Sequence, residues 1–216
     1  VDNLIMARAM TRALATTELR HVVNISSDAI YADSAAPLTE ASCASPGSLH
    51  GAMHLAREIL FRSEIKAPLA MLRPSLLYGA ADPHNGYGPN RFRRLAMKGE
   101  DIVLFGEGEE RRDHVWIEDV ADLAVRILMH GSWGSLNAAT GRVWSFREIA
   151  EMVAGLSGGS VRIAGSPRQG PMPHNGYRPF DPAATFAAFP DFRYTQLPDG
   201  LKRVHAETRN VPHART

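Results

Sequence analysis

His21-Val22-Val23-Asn24-Ile25-Ser26-Ser27 is a short apolar run that ends in two small hydroxyl residues. A run of this kind reads as a parallel strand buried on both faces, with function gathered at its carboxyl end. On either side the pattern turns helical. Upstream, Leu4, Ile5, Ala9 and Leu14 recur at helical spacing and predict a helix over 3–17. Downstream, a Ser-, Ala- and Pro-rich loop from Asp33 to Ser48 leads into a predicted helix over 48–63, whose apolar face is Leu49, Met53, Ala56, Leu60 and Phe61. Pro68-Leu69-Ala70-Met71-Leu72-Arg73-Pro74 then reads as a second buried strand closed by proline. This alternation predicts an α/β sheet of parallel strands.

Further along, a Gly-, Pro- and Asn-rich loop over 78–90 precedes a predicted helix over 91–98, and 101–105 and 114–117 read as short strands. Glu118 and Asp119 are expected to cap a helix reaching Met129, with carboxylates at its positive end. Ser145 and Glu148 stand at capping-box spacing and open a helix reaching about Ala154. The last sixty residues, broken by Pro167, Pro171, Pro173 and Pro179, read as a small irregular lobe. The expected division is 1–135 for the sheet domain and 136–216 for the lobe. Trp116, Trp133 and Trp144 are expected to pack rather than to hold a ligand.

The 216 residues are 44% apolar and 22% charged, with a formal net charge of +1. A chain of this length buries roughly 70% of its unfolded surface. The charge balance gives no footing for nucleic acid or an acidic membrane. Cys43 is the single cysteine, which excludes an internal disulfide and suits a reducing, cytoplasmic compartment. No run of ~18 apolar residues is present to span a membrane, and the start lacks the basic and apolar regions of a signal peptide. Without an initiator Met, and beginning inside a helical pattern, the chain reads as a fragment.

Four collinear segments carry a family likeness. They are Asn24-Ile25-Ser26-Ser27-Asp28-Ala29-Ile30-Tyr31, the helix from Ser48 to Glu58, Leu72-Arg73-Pro74-Ser75-Leu76-Leu77-Tyr78-Gly79, and the stretch from Gly106 to Val120 that contains Arg111-Arg112-Asp113-His114-Val115-Trp116. Together they resemble the extended short-chain dehydrogenase/reductase family, in its sugar-nucleotide epimerase/dehydratase branch. The resemblance implies a Rossmann-like parallel sheet, an NAD or NADP cofactor, a nucleotide-sugar substrate and a possible homodimer. It also implies roles by position. Ser27 would orient the sugar hydroxyl and Asp28 would stand at the acid of the dehydratases. Pro74 would end the strand beside the nicotinamide. Asn90 and Arg91 would line the sugar-nucleotide pocket, while Arg112 and Arg178 would reach the diphosphate.

Two departures from the family pattern matter. The usual Tyr-x-x-x-Lys is written His50-x-x-x-His54. In addition, no Gly-x-x-Gly-x-x-Gly or Gly-x-Gly-x-x-Gly turn opens a helix after a strand in these residues, so the cofactor half of such a site is expected to be missing from the chain. The i, i+4 spacing puts both histidines on one helix face. Four readings of the pair stand open: His50 as general base in place of the phenol with His54 at the lysine position, a relative that binds without hydride chemistry, a metal site with Glu58, or two solvated side chains.

Overall fold

The structure, a computed structural model, describes residues 2–159 and 161–210. Helix α1, Asp2–Ala15, lies against α2, Leu49–Glu64, and Arg8 bonds Glu64 across them at 2.8 Å. Strand β1, Val22–Ile25, runs parallel to β2, Leu69–Pro74, in the register Val22↔Leu69 to Ile25↔Leu72, with α2 as the crossover. β2 in turn runs parallel to β6, Gly134–Ala138, so the first sheet has the order β1-β2-β6. β-branched residues suit β1, and burial on both faces suits the continuous apolar run of β2.

The proline at 74 ends β2, but the chain resumes as a strand at once. β3, Leu76–Tyr78, pairs in parallel with the second half of β5, Arg111–Trp116. The first half of β5 takes two other partners: β7, Val143–Ser145, antiparallel, and β9, Tyr177–Arg178, parallel. Strands β4, Ile102–Phe105, and β8, Ile163–Ser166, form a third, parallel pair. The α/β fold with a parallel sheet therefore stands, and β5 joins β3, β7 and β9 into a second, mixed sheet. That strand begins three residues earlier than expected, because Arg111-Arg112-Asp113 is charged and reads as loop.

Helix α4, Ile117–His130, follows β5 with no loop and ends at Gly131, which takes the left-handed conformation at φ 61° and returns its N–H to Ile127. Glu118 and Asp119 lie in its first turn, yet Asp119 is buried and accepts from the Thr195 N–H and hydroxyl at 2.7 and 3.0 Å. The expected capping box of Ser145 and Glu148 opens α5, Phe146–Leu156.

The carboxyl-terminal region is more regular than its prolines suggest. It contains α6, Ala183–Ala188, and α7, Leu197–Asn210. Leu197, Leu201 and Val204 of α7 recur at i, i+4 and i+7 and are buried with Phe92, Ile102, Trp116 and Ile149; Phe92 belongs to α3, Pro89–Met97. Phe189, Phe192 and Tyr194 close a second core over Leu72, Val115 and Leu123. Trp116 packs as expected, under the guanidinium of Arg203, but Trp133 is 82% exposed in the turn between α4 and β6. Residues 211–216, the end of the predicted irregular lobe, lie outside the described residues. No helix among the described residues is long and apolar enough to cross a membrane.

Candidate active site

The carboxyl ends of β1 and β2 open onto a cleft of about 570 Å³. Ser27, Asp28, His50 and Arg112 all line it. Three local features bring them together. First, the Ser27 hydroxyl accepts from the Ala29 N–H at 3.1 Å and caps a short 3-10 turn over Asp28–Ile30. Second, the Ser48 hydroxyl caps α2 through the Gly51 N–H, which sets His50 in the first turn of the helix. Third, Gly51 lets that turn close on Ala29, where a Cβ would lie 2.0 Å from the Ala29 oxygen. A side chain at 51 would push His50 away from Ser27.

Arg112 reaches the cleft because side chains alternate along β5. Its neighbour Asp113 points the other way and accepts four hydrogen bonds, from Ser75, Gly141 and both the amide and hydroxyl of Thr140. Burial lifts the Asp113 carboxyl to about 6 against the pull of those donors. Arg112 is differently provided for. Its Nε lies 3.1 Å from Glu110 Oε1, an ion pair without hydrogen-bond alignment, and both Nε and Nη1 are buried with no hydrogen-bond partner. Buried donors left this way are costly until an acceptor arrives, and a guanidinium suits phosphate oxygens.

His54 lies one turn behind His50, their rings edge to face at 4.6 Å between centroids. It does not line the cleft. Burial, the Arg57 cation and His50 pull its pKa down to about 4, so it is neutral at pH 7. A lysine at that place would be charged. Glu58 is not free to join a metal site: its two oxygens hold Arg73 at 2.9 and 2.7 Å, and Arg62 adds a third contact at 3.0 Å. The three-ligand reading of His50, His54 and Glu58 fails for want of its carboxylate, and no group of three such residues among those described is placed to hold a metal.

Arg178 sits beneath the cleft rather than in it. It is buried, donating from Nε to Asp28 Oδ2 at 2.9 Å and from Nη2 to the Asp28 carbonyl at 2.6 Å, with Asp33 at 3.3 Å from Nη1. Its donors are spent within the protein, so it supports Asp28. Asn90 is also buried; its amide oxygen accepts from the Gly79 N–H at 3.1 Å and its amide nitrogen bonds Asp82, bracing the loop ahead of α3. Arg91 is exposed on α3, and neither it nor Asn90 lines the cleft. Pro74 is buried at the end of β2, beside Ser75, which does line the cleft.

Sequence reasoning missed Asp33 and His174, which meet through Asp33 Oδ1 and His174 Nδ1 on the cleft wall. Asp33 follows the 27–31 segment by two residues and was open to discovery. His174 arrives from 141 positions away and carries no motif. Burial and the Arg112 cation hold its pKa below the usual histidine value, Asp33 opposing them.

For a dinucleotide cofactor, the described residues fit only part of the group. The strand ends at Ser27 and at Pro74 and Ser75 offer small, close-packed surfaces. No described helix that follows a strand opens on a Gly-x-Gly-x-x-Gly or Gly-x-x-Gly-x-x-Gly turn: α4 starts at Ile117 straight after β5, and α5 starts on its Ser145 capping box. α3, whose N-cap is Gly88, has Gly86 and Gly88 ahead of it but runs on through Pro89, Asn90 and Arg91 without the third glycine. The pyrophosphate therefore has no cradle among the described residues.

The α/β fold, with a cleft at the carboxyl ends of its parallel strands, is of the Rossmann type. Residues 1–139 match the model of the NAD dependent epimerase/dehydratase family, and the chain belongs to that family. It is 30% identical over 110 residues to dTDP-4-dehydro-6-deoxy-D-allose reductase of Streptomyces bikiniensis, a match over 48% of this chain and 33% of that protein. It is 29% identical over 164 residues to UDP-glucose 4-epimerase of Mycolicibacterium smegmatis, over 72% of this chain and 52% of that protein. The chain thus spans between a third and about half the length of these relatives. In fold it is similar to UDP-glucuronic acid 4-epimerase of Bacillus cereus, solved with UDP-glucuronic acid and NAD, at a TM-score of 0.84 and 20% identity, over 96% of this chain and 67% of that one. UDP-glucose 4-epimerase of Thermus thermophilus, solved with NAD, gives 0.83 and 23%, over 97% and 70%.

Proposed function

We propose that the protein is an NAD(P)-dependent epimerase/dehydratase-type enzyme acting on a nucleotide-linked sugar, and that this chain supplies its sugar-nucleotide side. The observation that carries the reading is the convergence of Ser27, Asp28, His50 and Arg112 on one cleft, with two buried Arg112 donors unspent. The cofactor, when bound, supplies a hydride acceptor. The chain's own residues do the rest. Ser27 holds the sugar hydroxyl, His50 takes its proton, and Arg112 grips the diphosphate. Arg178 fixes Asp28 in the ion pair that forms the floor. His54 and Pro74 lie toward the cofactor side, and Asn90 and Arg91 shape the approach from α3. The sheet domain extends through β6 to Ala138, past the expected boundary at 135, and the described residues after it contribute the substrate lobe.

We also assign a cytoplasmic homodimer. Ile5, Met6 and Met10 of α1 and Ile59 of α2 are exposed on two helices that pack together, an apolar surface suited to a second copy.

The test is to incubate the protein with UDP-glucose and with NAD or NADP, and to follow epimer formation by proton NMR. Turnover that is lost in His50→Phe is the expected result. UDP-glucose and cofactor both bound with no turnover would instead make the protein a silent, binding member of the family.

A further inference from the structure

Arg57 stands one turn below His54 on α2. A single nitrogen, Nη2, serves two acceptors: the Ile25 carbonyl at the end of β1 and His54 Nδ1 at 3.0 Å. A guanidinium only donates, so the Nδ1 it meets must be the unprotonated nitrogen of the ring. His54 is thereby fixed with its proton on Nε2. The anchor is stiff, because Ile25 belongs to β1 and α2 is seated against the Asp28–Ile30 turn through Gly51. Arg57 Nε is buried without a partner of its own.

We propose that Arg57 is a positioning residue of this site: it locks His54 as the Nε2–H tautomer and supplies the fixed positive charge that residue 54 lacks, leaving His50 as the one histidine of the pair that exchanges a proton at the cleft. The proton His50 takes from a sugar hydroxyl then has no resting place on His54. It leaves from His50, which is exposed, to water. The charged and titratable groups around His54 agree. Asp28 faces it from the 3-10 turn, and His50, Arg57 and Glu58 from α2 itself. Glu58 is spent on Arg73 and Arg62. From α1, Arg8 pairs with Glu64 at the far end of α2. Arg57 is thus the cation with a free claim on the ring. The catalytic consequence rests on the proposed function; the tautomer and the charge do not.

Histidine side-chain nitrogen NMR of the intact protein, titrated from pH 8 to 3.5, tests the proposal without turnover. The wild type is expected to show His54 with an unprotonated Nδ1 and a protonated Nε2 down to about pH 4. In Arg57→Met the two tautomers should mix and the titration should rise by roughly one unit. Arg57→Lys should restore the low titration but not the single tautomer, since an ammonium rotates freely and holds no plane. A wild-type His54 protonated on Nδ1 overturns the proposal even if the methionine variant fails to fold. So does a folded Arg57→Met whose His54 behaves as wild type. If the tautomer is as expected and UDP-glucose is never turned over, the assignment of Arg57 holds and the enzymatic reading fails.

Discussion

Glu58 and Arg73 meet beneath the cleft as a double hydrogen bond, Nε to Oε1 at 2.9 Å and Nη2 to Oε2 at 2.7 Å, with both side chains buried. The remaining donor, Nη1, reaches the Tyr31 hydroxyl at 2.7 Å, and that hydroxyl donates to Asn137 at 2.7 Å. One network therefore ties α2, β2, β6 and the turn after β1, and it sets the height of the cleft floor.

Removing one partner of such a pair leaves a buried charge uncompensated. Glu58→Gln is expected to cost about 3–5 kcal/mol, read as a fall in the urea midpoint without a change in slope. Glu58→Leu combined with Arg73→Met should cost less than the two single changes added together. Strict additivity would show that the pair does not act as a unit.

The sequence made some of this legible and hid the rest for identifiable reasons. β1 and α2 could be read because an apolar run and a capped amphipathic pattern are local signals, and the ends of these two elements carry Ser27 and His50 to one cleft. β3 escaped because Leu76-Leu77-Tyr78 is only three residues long and follows a proline. The first half of β5 escaped because its charges suggest loop, whereas Asp113 is satisfied by Thr140 and Gly141 from a distant segment and the charge of Arg112 is balanced by Glu110 two residues before it. α7 was hidden by the prolines before it, although its own apolar spacing is regular. Arg178 was expected to reach the diphosphate, and its meeting with Asp28 instead depends on a 150-residue separation that no local pattern encodes.

Acid should destabilise the protein through its buried histidines. Burial depresses His114 to about 3, and His54 lies at about 4. The unfolded chain, with histidine near 6.5, binds the proton first as pH falls. The stability these groups contribute is present above pH 6.5 and is lost as pH falls toward 3, by up to about 1.4 kcal/mol per pH unit for His114. Asp113 works the other way, since its folded value is raised: its contribution is present below pH 3.8 and is lost as pH rises through about 6. Comparing wild type with His114→Phe cancels Asp113. The variant should show a flatter stability curve between pH 6.5 and 4, and parallel curves would mean that His114 titrates as in the unfolded chain.

Gly51→Ala tests the closure that sets His50 beside Ser27. The added carbon would meet the Ala29 oxygen and, at 2.8 Å, the Pro46 Cβ, so α2 must back away from the turn. A loss of about 1–3 kcal/mol is expected on thermal or urea unfolding, because overpacking is costly where backbone is the obstacle. The chemical shifts of Ser27, Asp28 and His50 should move together. A variant of wild-type stability with these signals unmoved would show that the helix start is not pinned there.

Arg112 gives the most direct test of what the cleft receives. Its buried Nε and Nη1 lack hydrogen-bond partners, while Glu110 balances its charge from 3.1 Å. An arriving diphosphate would offer this guanidinium the acceptor it lacks, and hydrogen bonds to charged groups are worth about 1.5–3 kcal/mol. Arg112→Ala should therefore weaken UDP binding by roughly 10- to 100-fold in calorimetry. Arg112→Lys should recover part of that, as a point charge without the planar fork. Glu110 is left with Arg168 at 3.7 Å when Arg112 is removed, so the alanine variant is expected to unfold somewhat earlier; binding must be measured well below its midpoint. If the alanine variant is folded at that temperature and binds UDP as the wild type does, the diphosphate is held elsewhere and Arg112 serves Glu110 alone.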